Sequence, residues 1–344
     1  IIVGRVLGTD ALAGVGATTG LTFLIYSLTN GLSNGFSVSV AQRFGAGDYK
    51  GLKKRFGNGI LLALMITAVL TILFSVFCRP VLTLVKTPEE IYEYAYDYVI
   101  VCFAGLFCTV AYNFLAAHLR AVGDSRTPVI ALIIASFLNV GLDILFVAVF
   151  SMGVAGAAFA TILSQFVSAA FLIIYIVRKT ELFKLSRGEF RLSRDLSREQ
   201  LATAVPMGIQ GSVIAIGIMI VQAATNGMGT VYVAGSTAGN KLYGIMAAPV
   251  DAVCQAMIPI AGQNFGAGKL KRIDQGLRRI MALTWAATAL LIAIAVFWGK
   301  YMIGWFIDPA ETEVIQLGHQ FLIYFVTGYG FLAIQSAYCF TLQG

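Results

Sequence analysis

The sequence predicts an all-α polytopic membrane protein built from two parallel repeats, and three observations carry that expectation. Of its 344 residues, 58% are hydrophobic and only 12% are charged, whereas a soluble domain carries about 25% charged residues. Mean hydropathy is +0.82. The apolar residues gather into runs long enough to cross a hydrocarbon core of about 30 Å. Finally, 19 of the 24 Lys and Arg residues fall in four of the stretches between those runs.

Taken in order, residues 1–7 read as the tail of a helix. Apolar runs follow at about 12–42, 56–78, 94–119, 128–150, 154–177, 204–228, 231–261, 280–303 and 314–342. Several are interrupted by Gly, Asn, Ser or Pro, which membrane helices tolerate where neighbours satisfy the backbone. The basic stretches are 43–55, 120–126, 178–198 and 269–279. The positive-inside rule puts all four in the cytoplasm. The net charge of +7 is then topological, and nucleic acid is not expected as a partner. Acids mark the opposite side: Glu89, Glu90 and Glu93 follow Thr87-Pro88, and Asp308, Glu311 and Glu313 surround Pro309. Proline followed by acids is a helix start. The polar stretch 179–200 divides the chain into an amino-terminal lobe, 1–178, and a carboxy-terminal lobe, 201–344. It reads as a cytoplasmic linker lying on the membrane surface, with contact to anionic lipid as the alternative role for its basic residues.

An offset of 221 residues superposes the two halves. Gln42 and Phe44-Gly45-Ala46-Gly47 match Gln263 and Phe265-Gly266-Ala267-Gly268; Lys50 matches Lys271 and Pro88 matches Pro309. Both Phe-Gly-Ala-Gly stretches fall on the basic side, so the repeat is parallel with an even number of helices per half. Such repeats are a transporter architecture, with substrate held between the halves. Gly-x-Gly here follows no strand and lacks a third glycine, which excludes a dinucleotide fold, and no Gly-Lys-Ser/Thr follows, which excludes a phosphate loop. A glycine-capped helix end is the structural reading; a gating hinge is the functional one.

Cofactor chemistry has little to stand on. Cys78, Cys102, Cys108, Cys254 and Cys339 show no Cys-x-x-Cys spacing and read as free thiols. His118 and His319 lie about 200 residues apart, so no zinc pattern forms, and His118 reads as structural. A membrane enzyme would need a nucleophile–base pair on facing helices, and none stands out.

One ionisable residue remains inside an apolar run. Asp143 is the only charge between Pro128 and Phe150. A carboxylate at that depth costs about 3 kcal/mol or more unless paired, hydrated or protonated, which makes it a functional candidate; a packing or capping role is the alternative. Asn139 lies one turn earlier on the same face. Gly153 and Gly156 mark a hairpin turn. Folding back about residues 152–153 puts Asp143 about 15 Å and Thr161 about 12 Å from the turn. Amide, carboxylate and hydroxyl oxygens then meet at one depth, a set able to hold a proton or Na⁺.

The residues Val3-Gly4-Arg5-Val6-Leu7-Gly8-Thr9-Asp10-Ala11-Leu12-Ala13 resemble a helix connection of the multidrug and toxin extrusion (MATE) transporters. Phe44-Gly45-Ala46-Gly47, Leu119-Arg120-Ala121-Val122-Gly123-Asp124, Asn139-Val140-Gly141-Leu142-Asp143 and Gly153-Val154-Ala155-Gly156-Ala157-Ala158 are similar to that family as well. The resemblance runs along essentially the whole chain. It implies two six-helix lobes around a V-shaped cavity, with one expected Asp and the start of helix 1 lying before Ile1 and two helices after Gly344. It implies efflux of organic cations or other amphipathic drugs, driven by inward H⁺ or Na⁺ with no other cofactor. Asn139, Asp143 and Thr161 fit the family's amino-terminal cation site. The branch with acids in the seventh and tenth helices is not matched, since 204–228 and 314–342 contain none there. Asn113, Gln222, Asn226 and Lys241 are candidate substrate contacts. The expected setting is a multi-pass monomer in the cell membrane, in contact with lipid and a small-molecule drug. A lipid-linked oligosaccharide flippase of the same superfamily architecture is the alternative; it calls for a large cationic groove, and only Arg5 and Lys241 are intramembrane cations.

Overall fold

The computed structural model describes residues 3, 6–84, 87–186, 188–226, 228, 230–305, 307 and 311–344, without the side chains of Thr9, Gln222, Ala223, Asn226 and Thr230. The described residues form helices: α1 (Thr9–Ala17), α2 (Thr19–Gly45), α3 (Tyr49–Leu84), α4 (Glu89–Ala104), α5 (Leu106–Ala121), α6 (Arg126–Asp143), α7 (Gly153–Lys179), α8 (Arg194–Asn226), α9 (Thr230–Gln255), α10 (Met257–Gly266), α11 (Leu270–Ile303) and α12 (Thr312–Gln343). A π-helical turn, Ile144–Val149, prolongs α6. Among the described residues eight helices are long and apolar enough to span a membrane, or nine if the α4–α5 pair, bent by 49°, is one span. Arg5, Lys86, Arg187, Asp308 and Pro309 lie outside the described residues.

The chain divides into two compact units, Ile1–Ala215 and Ile216–Gly344. Within unit 1 the core gathers Phe36, Leu52, Phe56, Phe114, Leu119 and Leu172 from α2, α3, α5 and α7. Small residues let α2 and the first half of α8 touch backbone to backbone, as membrane helices do in place of hydrophobic packing. A Cβ added at Gly35 would stand 2.3 Å from Ala204 Cα, and one at Gly31 2.4 Å from the Met207 carbonyl oxygen. Unit 2 has its own core of Leu242, Met246, Ala295, Ile303, Leu322 and Val326.

The two Phe-Gly-Ala-Gly stretches close in the same way. Gly47 (φ 73°) and Gly268 (φ 67°) take the left-handed conformation. Gly47 N–H donates to the Phe44 carbonyl and Asp48 N–H to Arg43; Gly268 N–H donates to Phe265 and Lys269 N–H to Asn264. Each pair is a Schellman cap, so the sequence repeat is also a geometric one. Gly123 (φ 92°) closes α5 with the same two bonds, to Arg120 and Leu119. Pro88 caps α4, with Glu89 and Glu90 in its first turn.

Two expectations need correction. The run 94–119 is two helices bent at Gly105, where Ile162 of α7 presses so close that an added Cβ would lie 2.2 Å from its Cγ1. The runs 12–42 and 231–261 each remain one candidate span, Asp10–Gly45 and Val231–Gly266, interrupted only by a single turn residue of helical backbone, Thr18 and Ala256. And α8 starts at Arg194, inside the expected linker. The polar residues 194–200 are helical because their inner face has partners on unit 1. Arg55 makes a two-point ion pair with Glu199, at 3.0 and 2.7 Å. The fully buried Asn58 donates to Gln200 Oε1 (2.8 Å) and accepts from Ser193 N–H (2.9 Å) and the Ser197 hydroxyl (3.3 Å). Ahead of them Phe183 is buried against Phe56, ring centroids 4.5 Å apart. That stretch is docked on unit 1, with Phe190 and Leu192 left exposed.

Candidate functional site

The hairpin of α6 and α7 forms where the sequence turns. Ser151 and Gly153 both take positive φ, 51° and 62°, and α7 restarts at Gly153. Buried Ala131 and Ala135 on α6 and Ala157, Ala158 and Ala160 on α7 allow a close antiparallel pair. The Ser168 hydroxyl ties the helices by donating to the Ala131 carbonyl at 3.1 Å.

This pairing brings Asn139 to Thr161. Asn139 Nδ2 donates to Thr161 Oγ1 at 3.4 Å, while the Thr161 hydroxyl donates to Ala157 O at 3.1 Å. The hydroxyl hydrogen and the amide N–H are thus engaged, and the Asn139 carbonyl oxygen keeps its acceptor capacity. Asp143 ends the α-helical part of α6, one turn on, where the π-helical turn begins. Such turns are frequent at functional sites, because they re-aim side chains within a helix. Asp143 Oδ1 is buried and has no hydrogen-bond partner. Among the described residues Asp143 forms no ion pair. A buried carboxylate oxygen left in this state is costly, and a bound proton or hard cation removes the cost.

Two neighbours were not singled out by the sequence. Tyr98, on α4, lies close enough to Asp143 to interact with its charge, and Tyr98 and Tyr26 both lie beside the Cys102 thiol. Its only sequence signal is a tyrosine-rich helix, which reads as packing. Gln165 lies one turn beyond Thr161, and its Oε1 is buried without a partner; its i+4 spacing from Thr161 is the signal that could have found it.

The remaining candidates do not gather here. Asn113 is partly buried on α5, and Lys241 is exposed on α9. Lys241 and Asp251 form no ion pair among the described residues. Gln222 and Asn226 fall in α8, but their side chains lie outside the described residues. His118 is fully buried among Phe56, Phe114 and Phe183, with Nδ1 2.7 Å from the Phe114 carbonyl. Among the described residues no three His, Cys, Asp or Glu side chains cluster. The donor set around Asp143 is oxygen-rich, with one acid, and suits a proton or Na⁺ rather than a transition metal.

Known proteins place this architecture. Residues 1–145 and 206–344 match the MatE family model. The chain is 30% identical over 343 residues to the probable multidrug resistance protein YpnP of Bacillus subtilis, covering 99% of this chain and 75% of that protein. It is 28% identical to the probable multidrug resistance protein NorM of Thermotoga maritima, covering 97% and 72%. Among solved structures, a MATE transporter crystallised in the bent conformation superposes with a TM-score of 0.85 at 23% identity, covering 99% of this chain and 78% of that one. An outward-facing multidrug resistance transporter of the MOP superfamily gives 0.84 at 22% identity, covering 99% and 77%. The matched helices, their parallel repeat and the extent of the match agree: the chain belongs to the MatE family of multidrug and toxin extrusion transporters.

Proposed function

We propose that the protein is a secondary antiporter of the cell membrane, exporting organic cations or other amphipathic drugs in exchange for inward H⁺ or Na⁺. The observation that supports this reading is the buried, partnerless Oδ1 of Asp143 beside the Asn139–Thr161 pair. Asp143 alternates between a cation-bound and a free state. Binding neutralises its charge and changes the relative cost of two packings of α6 and α7, which biases the equilibrium between them. Asn139 and Thr161 supply the neutral oxygens that complete a Na⁺ shell or orient a protonated carboxyl. The protein works as a monomer among membrane lipids, with the drug as its small-molecule partner. Asn113, Gln222, Asn226 and Lys241 are assigned to substrate contact.

The test is dye efflux by the full-length protein in vesicles, with pH and sodium gradients imposed in turn. Asp143→Asn is expected to insert normally and to lose gradient-driven efflux down to the empty-vesicle rate. Efflux as fast as that of the unmodified protein would overturn the reading.

A second reading, transport of an anionic or lipid-linked substrate, is favoured by Lys241, exposed on α9 without an ion pair among the described residues. A protein of Shewanella oneidensis that is 25% identical over 336 residues is named FAD transporter. Vesicles offered ethidium, FAD or a lipid-linked oligosaccharide separate the two readings. Movement of ethidium alone supports drug export.

A further inference from the structure

Unit 2 carries an acid of its own within a membrane-spanning helix. Asp251 sits on α9, seventeen residues before the glycine cap, Gly268, that follows α10, or roughly 25 Å along the helix axis. The 221-residue offset maps it onto Asn30 of α2, whose amide oxygen accepts from Asn34 at 2.6 Å. The same place in the repeat thus holds a neutral amide in unit 1 and an ionisable group in unit 2.

The partner of Asp251 is unusual. Tyr329 of α12, only 2% exposed, lies with its hydroxyl 2.7 Å from Asp251 Oδ1 and 3.2 Å from the Ala247 carbonyl oxygen. One phenolic hydrogen therefore has two acceptors. Asp251 is partly exposed, whereas Tyr329 is sealed. Among the described residues, the other titratable groups that interact with Asp251 are Tyr243 and Cys254 of its own helix. Toward α11 the neighbour of Cys254 is Thr284, and the thiol faces the Ala333 carbonyl at 3.8 Å. Among the described residues no cation pairs with Asp251.

We infer that Asp251 and Tyr329 form a second proton-binding site, housed in unit 2 and separate from Asp143. When Asp251 is ionised, the Tyr329 hydroxyl donates to Oδ1. When Asp251 takes a proton from water, its new O–H donates to the Tyr329 oxygen, and the phenolic hydrogen turns to the Ala247 carbonyl. One proton is gained, none is lost, and no hydrogen-bonding group is stranded in either state. The switch moves the hydrogen bond of α12 from a side chain of α9 to its backbone, which couples the charge of Asp251 to the contact between those helices.

The inference extends the antiport reading but does not need the drug for its test. Infrared difference spectra of the purified full-length protein between about pH 5 and pH 9 report protonated carboxyls and tyrosine C–O stretches separately. Asp251→Asn is expected to remove one carboxyl band and, with it, the pH-dependent shift of one tyrosine band. A purely structural acid would leave both in place, and that result overturns the site. Tyr329→Phe keeps the ring and the acid; it is expected to remove the tyrosine shift and to move the midpoint of the Asp251 band by about one pH unit. An unmoved midpoint overturns the switch even if Asp251→Asn fails to fold. Asp143→Asn, measured in parallel, should remove a different carboxyl band under H⁺ coupling. Loss of that band while Asp251→Asn changes nothing would sink this inference alone.

Discussion

An acid can serve a helix end or a ligand, and its neighbours decide which. Asp124 serves the start of α6: Oδ1 accepts from Thr127 N–H at 3.0 Å and Oδ2 from the Thr127 hydroxyl at 2.7 Å. Partial burial raises its pKa, but the bonds from Thr127, Tyr175 and the Arg126 backbone outweigh it and hold the carboxyl below its ordinary range. A depressed carboxyl adds stability that is present above about pH 4 and is lost as the pH falls through its folded-state pKa. Asp124→Ala is therefore expected to cost about 1 kcal/mol at pH 7, and to cost progressively less below about pH 4. Thermal melts in detergent across that range check it, and an equal loss at every pH would contradict the cap. Asp143 has none of these donors, which is why the same residue type reads as a ligand group there. That contrast is partly legible in the sequence: the hairpin fold-back brings the Asp143 stretch to the depth of Thr161, but it levels Asp143 with that hydroxyl, whereas the structure bonds Thr161 to Asn139, one turn further from the hairpin. Tyr98 is not legible, because it reaches Asp143 through the packing of a separate helix, and no local period records that.

Helix existence follows from hydropathy, since each span must be apolar for its full length. Breaks within a span follow from what presses on it. Gly105 lies in a run with no proline and no polar cluster, so nothing local separates α4 from α5. The bend comes from Ile162 of α7, whose Cγ1 occupies the place a side chain at 105 would need. Unit 2 shows the converse, because α12, which corresponds to α4 and α5 under the offset, runs unbroken from Thr312 to Gln343. Gly105→Ala is expected to destabilise the protein by about 1–3 kcal/mol, because a β-branched carbon near the backbone cannot swing clear. Ile162→Ala made in the same chain should recover most of that loss despite its own cavity. A double-mutant cycle of melting temperatures measures the coupling. Additive effects would show that the two residues do not meet.

At the scale of the whole molecule, the repeat explains why two glycine caps with the same bonds stand 221 residues apart. It does not explain how the polar stretch between the halves is held. Composition marks 179–200 as a linker, and its charge hides its anchor, because the partners lie about 140 residues earlier on α3. Asn58 is the centre of that anchor. It is fully buried, and its side chain serves Gln200, Ser193 and Ser197 together. Gln200, equally buried, is further held by the Arg55 carbonyl at 2.9 Å and the Ser39 hydroxyl at 3.3 Å. Replacing Asn58 by Leu keeps the volume but strands the buried Gln200 oxygen away from water, at about 1–3 kcal/mol, and removes the acceptor of the partly buried Ser193 N–H. The Arg55–Glu199 pair adds less, since Glu199 is 41% exposed and solvent screens it. Asn58→Leu should thus lower the melting temperature more than Glu199→Gln does. It should also open the stretch 184–193 to trypsin, which finds Lys184, Arg187 and Arg191 there, while cleavage after Lys53 and Lys54 stays unchanged. Digestion of the folded protein in membranes, followed by mass spectrometry of the fragments, reads this out. Equal protection of 184–193 in the variant and the unmodified protein would mean that the anchor is not Asn58.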